Sequence, residues 1–199
     1  MSILVLTSDT LIGTPATGNL EYNGQFYGTD SNASRAQMQR LAQSTVVPST
    51  SGTSIEFTAI PAWAKKITVM FNGVSTNSTN IKQIQLGTGS TTYTIAGYLS
   101  GTSILAGTVA SQNVTTGIGI YSISASDNLS GAITLWNITG TTWVASGTLA
   151  VTGATNISVV SSGSIALGAA LTAVRVIGSS TGNPADTFDN GQINILYEG

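Results

Sequence analysis

The sequence has no cysteine and no histidine. Without thiols there can be no disulfide, so stability has to come from packing or from association between chains. Transition-metal sites lose their two best ligands, and Ser-His-Asp or Cys-His catalysis is excluded. Charge is also scarce, at 7% of residues against roughly 25% in ordinary soluble domains. The net charge is −2, and the six cations (Arg35, Arg40, Lys65, Lys66, Lys82 and Arg175) are scattered along the chain. Nucleic-acid binding needs a clustered basic face, so nucleic acid is not an expected partner. No apolar run approaches the length of a membrane span, so membrane insertion is not expected either. Met1–Leu6 is too short for a signal-peptide core and no Lys or Arg precedes it, which suggests synthesis in a cytoplasm without an export signal.

Hydrophobic residues make up 41% of the chain, and they alternate with polar ones, which argues against disorder. Ser, Thr, Asn and Gly take the place of charge, giving a surface that is polar but barely ionic. Such a surface suits a protein held in a large assembly or facing outward from a particle. At 199 residues the chain fits one large domain, or one domain plus an arm.

The pattern organises around Ser54–Val74. Ile55, Phe57 and Ala59 alternate with Ser54, Glu56 and Thr58, the period of a strand with one buried face. Pro61 ends that strand, since it has no N–H for a ladder. Ile67, Val69 and Phe71 then alternate with Thr68 and Met70 up to Asn72-Gly73. This reads as a β-turn-β unit with Trp63 capping one end of the core.

Upstream, Ile3–Leu6 reads as an edge strand or an arm that pairs with a neighbour. Leu20–Tyr22 and Gln25–Tyr27 read as a hairpin about Asn23-Gly24, the strongest short hairpin signal. Ser31–Gln43 reads as a short helix, with Ala33, Met38 and Leu41 on a narrow stripe. Ser44–Thr53, rich in Ser, Thr and Pro, reads as a linker. Downstream, strands are expected over Ile81–Leu86 and Thr91–Tyr98, and Leu99–Thr115 reads as an external loop. Further strands are expected over Ile118–Ser124, Gly131–Asn137, Thr141–Ser146, Thr148–Val151, Asn156–Ser161, Ser164–Leu167, Leu171–Ile177 and Gln192–Tyr197. About ten short strands at this spacing imply an all-β, jelly-roll-like antiparallel sandwich over 54–199, after an arm, hairpin and helix over 1–43 and a linker over 44–53.

Four blocks carry a likeness in order: SIEFTAIPAWAKKITVMFNGVSTNST, IQLGTGS with GYLS soon after, LTAVRVIG, and DTFDNGQINILYE. They resemble the C-terminal domain of many bacteriophage tail-fibre proteins. GTPATGNLEYNGQFYGTDSNASR resembles the segment that often precedes that domain. These matches touch about half the chain. The resemblance implies a homotrimer in a virion, assembled in a bacterial cytoplasm and attached to other virion proteins of the tail, baseplate or capsid. The repetitive shaft and N-terminal anchor domain usual in that family have no evident counterpart here, so a whole fibre, a short appendage and a capsid decoration are all open.

Candidate docking and oligomer contacts are Ile3, Leu4, Val5, Leu6, Arg35, Met38 and Leu41. Trp63, Tyr98, Trp136 and Trp143, with Tyr93 and Tyr121, are candidates for stacking on a host surface glycan, with core packing as the alternative for the tryptophans. Asp186 and Asp189 are the closest carboxylate pair. They are weak candidates for calcium or for a glycosidase pair, against a turn in which each Asp bonds its own backbone. No catalytic residue and no cofactor is expected. The expected function is a non-enzymatic phage structural protein, a trimeric tail fibre or receptor-binding appendage. A capsid decoration or cement protein and a polysaccharide depolymerase are the alternatives.

Overall fold

The structure, a computed structural model, describes residues 10–11, 13–14, 16–23, 25–106, 110–122, 124–154, 156–179 and 181–199. The chain divides into two units, Met1–Arg40 and Leu41–Gly199.

The first unit holds a three-stranded antiparallel sheet of β1 (Leu20–Tyr22), β2 (Phe26–Thr29) and β3 (Arg35–Gln37), in that order. The expected hairpin is β1–β2, in register Tyr22 to Phe26, with those two rings 4.9 Å apart. The helix expected over Ser31–Gln43 does not form. Asp30 Oδ1 accepts the backbone N–H groups of Asn32 and Ser34, each at 2.9 Å, and Ala33 takes a left-handed φ of 55°. The side chain thereby closes a tight turn that competes with helix initiation. The chain returns as β3 against β2, and Leu41–Gln43 becomes a strand of the second unit. The stripe Ala33–Met38–Leu41 is too narrow for a helix to bury, whereas strand pairing satisfies the same backbone, so tertiary context overrides propensity.

The second unit is all-β. One sheet contains β4 (Leu41–Gln43), β5 (Val47–Pro48), β7 (Lys66–Thr76), β9 (Leu99–Leu105), β10 (Ser111–Val114), β12 (Asn128–Thr139), β13 (Thr142–Thr152), β14 (Ile157–Ala166) and β16 (Phe188–Glu198). Its order is β10-β9-β14-β13-β12-β7-β16-β4, with β5 also on β16. The other sheet holds β6 (Ser54–Phe57), β8 (Lys82–Gly87), β11 (Ile118–Ile120) and β15 (Ala173–Gly178), in the order β11-β8-β15-β6. Every pairing is antiparallel. The sheets enclose one core: Ile55, Phe57, Ile84, Leu86, Val174 and Val176 from the smaller, and Val69, Phe71, Ile133, Leu135, Leu149 and Ile195 from the larger.

Ser54–Val74 is an arch between the two sheets, where the sequence suggested a β-turn-β unit. The chain leaves β6 at Ala59, whose φ is 56°, turns through Pro61–Ala64, and enters the larger sheet as β7. Trp63 packs against the core at this crossing. The segment read as a linker contains β5, and the buried Ser49 donates its hydroxyl to Asn190 O at 2.8 Å. Leu99–Thr115, read as a loop, supplies β9 and β10, while Thr91–Tyr98 supplies only a single bridge from Tyr93 to Gly87. The expected pairing across Thr139-Gly140 is the β12–β13 hairpin, and Gly140 has φ 51° there.

Candidate functional site

Two surfaces of the second unit have a composition that sets them apart. The first is the outward face of the larger sheet. Alternation in β7 buries Ile67, Val69 and Phe71 and turns Lys66, Thr68 and Met70 outward. Register carries this face across the sheet in rows. One row runs Glu198, Lys66, Trp136, Val144, Ser164, Leu99. The next runs Leu196, Thr68, Thr134, Ser146, Ser162, Gly101. A third runs Asn194, Met70, Ala132, Thr148, Val160, Ser103. The only charges in these rows neutralise each other, with Lys66 Nζ 2.7 Å from Glu198 Oε2. Small hydroxyls and aliphatic side chains make up the rest, which leaves a broad face without long-range electrostatic preference.

The second surface is a concavity of about 450 Å³ where β10 and Tyr121–Ser122, just after β11, meet the turn before β8. β8 explains how it is built, because all of its residues are buried although it carries Lys82, Gln83 and Gln85. A buried amide must be hydrogen-bonded or it costs about 1–3 kcal/mol. Gln85 Nε2 donates to Thr116 O (2.7 Å) and Gly182 O (2.8 Å), and its Oε1 accepts from Arg175 Nε (2.8 Å). Gln83 Nε2 donates to Ser179 O at 2.7 Å and its Oε1 accepts from Thr116 Oγ1 at 2.8 Å. These bonds tie Thr116, Ser179 and Gly182 over β8, and Gln83, Thr116 and Ser179 form one wall of the concavity. The Arg175 guanidinium lies 4.2 Å above the centre of the Tyr93 ring, a cation–π contact.

Lys82 sits behind another wall. Its Nζ donates to Ser122 Oγ at 2.8 Å, Ser78 O at 3.2 Å and Asn80 O at 3.4 Å. Burial pushes its pKa down to about 8, partly offset by the carboxylates of Asp186, Asp127 and Asp189. Asp186 Oδ1 accepts from Asn80 Nδ2 at 2.8 Å, and Gly178 makes room where a Cβ would crowd the Asp186 side chain.

The residues singled out in the sequence fall in different places. Ile3, Leu4, Val5 and Leu6 lie outside the described residues. Arg35 is in an ion pair with Glu21, while Met38 and Leu41 are exposed. Tyr98 and Trp143 are core residues, and the Tyr98 hydroxyl oxygen accepts the Leu86 N–H at 2.8 Å, so neither ring is open to a glycan. Trp63 is half-buried against the core. Trp136, 39% exposed in the first of the outward rows, is the tryptophan with an open ring, and Tyr93 and Tyr121 are half-buried. Asp189 accepts a short hydrogen bond from Ser75, and no three Asp or Glu side chains among the described residues are placed to hold a metal ion. Tyr121, a stacking candidate in the sequence, lines the concavity, whereas Gln83, Gln112, Asn113 and Ser122 were not singled out. The available signal was a lysine and two glutamines inside an apolar strand pattern at 82–86.

Comparison with family models, with curated proteins and with solved structures finds no match to this chain.

Proposed function

We propose that this chain is a non-enzymatic structural protein of a bacteriophage virion, acting as a trimeric tail fibre or receptor-binding appendage that presents a β-sandwich outward. The observation that carries this reading is the outward face of the nine-stranded sheet. Its rows of Ser, Thr, Ala, Val and Leu are suited to contact over area, and their one ion pair is already satisfied within the chain. Closed symmetric association is the common way to use such a face. The sequence blocks resembling phage tail-fibre domains support the same reading.

In the first unit, Leu20, Phe26 and Met38 project on one side of the three-stranded sheet and are exposed. An apolar side of this kind fits attachment to another virion protein. Placement on the head as a capsid decoration uses the same two features. The test is electron microscopy of phage particles bearing an affinity tag on this chain, labelled with gold. Label on the tail supports the appendage, label distributed over the head replaces it with the decoration, and unlabelled particles contradict both.

A further inference from the structure

We propose that the concavity between β10, Tyr121–Ser122 and Thr79–Ile81 binds one or two units of a neutral saccharide. Its volume of about 450 Å³ is within the roughly 300–1,000 Å³ of small-ligand sites. No charged side chain lines it, so neither an anionic nor a cationic ligand finds a counter-charge there. The lining instead offers amides and hydroxyls, groups that both donate and accept, and this matches the vicinal hydroxyls of a sugar.

Two of those groups have their direction fixed from behind. Ser122 Oγ accepts from the Lys82 ammonium at 2.8 Å, which leaves its own O–H as a donor for a ligand. Thr116 Oγ1 spends its proton on Gln83 Oε1 at 2.8 Å, which leaves the oxygen as an acceptor. The site therefore presents a committed donor and a committed acceptor without reorganising, which lowers the entropic cost of binding. Around them, the side chains of Gln112, Asn113 and Tyr121 form no hydrogen bond among the described residues and are available to a ligand. Tyr121 lines the concavity, half-buried and packed in part against the core, and its exposed part is the surface assigned to the apolar side of a pyranose. Two shallower hollows of about 350 and 230 Å³ share Asn113 with this one and extend it across β10. They give a longer glycan a path.

The inference deepens the display role proposed above, and the two can fail separately: particle labelling reports location, while sugar binding is read on the purified chain. The experiment is saturation-transfer NMR on the full chain with methyl α-glucopyranoside, methyl β-galactopyranoside, N-acetylglucosamine and lactose, with glucuronate as the charged control. At least one neutral sugar is expected to bind, and glucuronate to bind more weakly. Asn113→Ala and Tyr121→Ala are expected to weaken binding by about tenfold each, the loss of one hydrogen bond or one stacking contact. Both are to be compared at a temperature where each variant is fully folded by circular dichroism, and Tyr121→Phe, which keeps the ring, is expected to retain most of the affinity. Absence of binding by every neutral sugar, stronger binding of glucuronate, or equal binding by parent and both alanine variants overturns the assignment.

Discussion

Arg35 grips Glu21 with two hydrogen bonds, Nε to Oε2 at 2.7 Å and Nη2 to Oε1 at 3.1 Å, reaching from β3 to β1 across the intervening β2. The Glu21 side chain is 7% exposed and that of Arg35 22%, so the pair is sheltered from water. A bidentate pair of this kind fixes geometry as well as charge. Replacing one partner strands the other in a poorly solvated site, at a cost of about 3 kcal/mol. Arg35→Ala is therefore expected to raise hydrogen exchange at Leu20–Gln37 while leaving the protected amides of β7, β12 and β13 unchanged. Equal loss of protection in both units would show that the first sheet has no stability of its own.

Alkaline stability should follow Lys82 and Tyr98 in opposite directions. Lys82 has its pKa lowered from 10.5 to about 8, chiefly by burial. Below about 8 both states carry the proton and the desolvation penalty is fully present. Between about 8 and 10.5 the unfolded chain binds the extra proton, so this group makes stability rise with pH. Burial raises Tyr98 from 10.0 to about 12. Its contribution is fully present below 10.0 and is lost as pH rises toward 12, because only the folded chain keeps the proton there. Together the two groups place a stability maximum near pH 10, measurable by urea unfolding across pH. Lys82→Met is expected to abolish the rising limb, and a rising limb that persists in that variant would exclude Lys82 as its source.

Gly147 faces Ile133 across the β12–β13 ladder, and a Cβ at Gly147 would run into Ala132 O and the Ile133 Cα. The position has no space for a side chain. Gly147→Val is expected to cost roughly 3 kcal/mol by overpacking, seen as a lowered denaturation midpoint. An unchanged midpoint would mean that the two strands can separate at that point without penalty.

The outward face gives a prediction about association. Ser146, exposed in the middle row between Thr134 and Ser162, has no charged neighbour across either strand. Ser146→Glu puts one like charge per chain into any interface that joins this face to copies of itself. The variant is expected to fold as the parent does by circular dichroism and to sediment at a lower mass. Unchanged mass would move the contact between copies to another surface.

Alternation made the large sheet legible: Ile67, Val69 and Phe71, and the β12–β13 pair across Thr139-Gly140, are where the period of two placed them. The four strands of the smaller sheet were also where alternation placed them, but the burial of β8 on both faces was not legible, because its glutamines are satisfied by backbone carbonyls distant in sequence. Asp30 hid the true course of Ser31–Gln43, since an Asx turn and a helix cap draw on the same residue types. Tyr98 and Trp143 show the limit for sites. An aromatic residue in a strand reads alike whether it faces the core or a ligand, and here both face the core. The concavity could not be foreseen, because tertiary packing of residues in different sheets brings Gln112–Thr116 beside Tyr121 and Ser122.

The account depends on this chain acting as one member of a symmetric assembly and not alone. Native mass spectrometry of the purified full chain tests that most directly. Three copies of the 20.2 kDa chain in one particle is the expected result. A species at the mass of a single chain, persisting as concentration is raised, would contradict it.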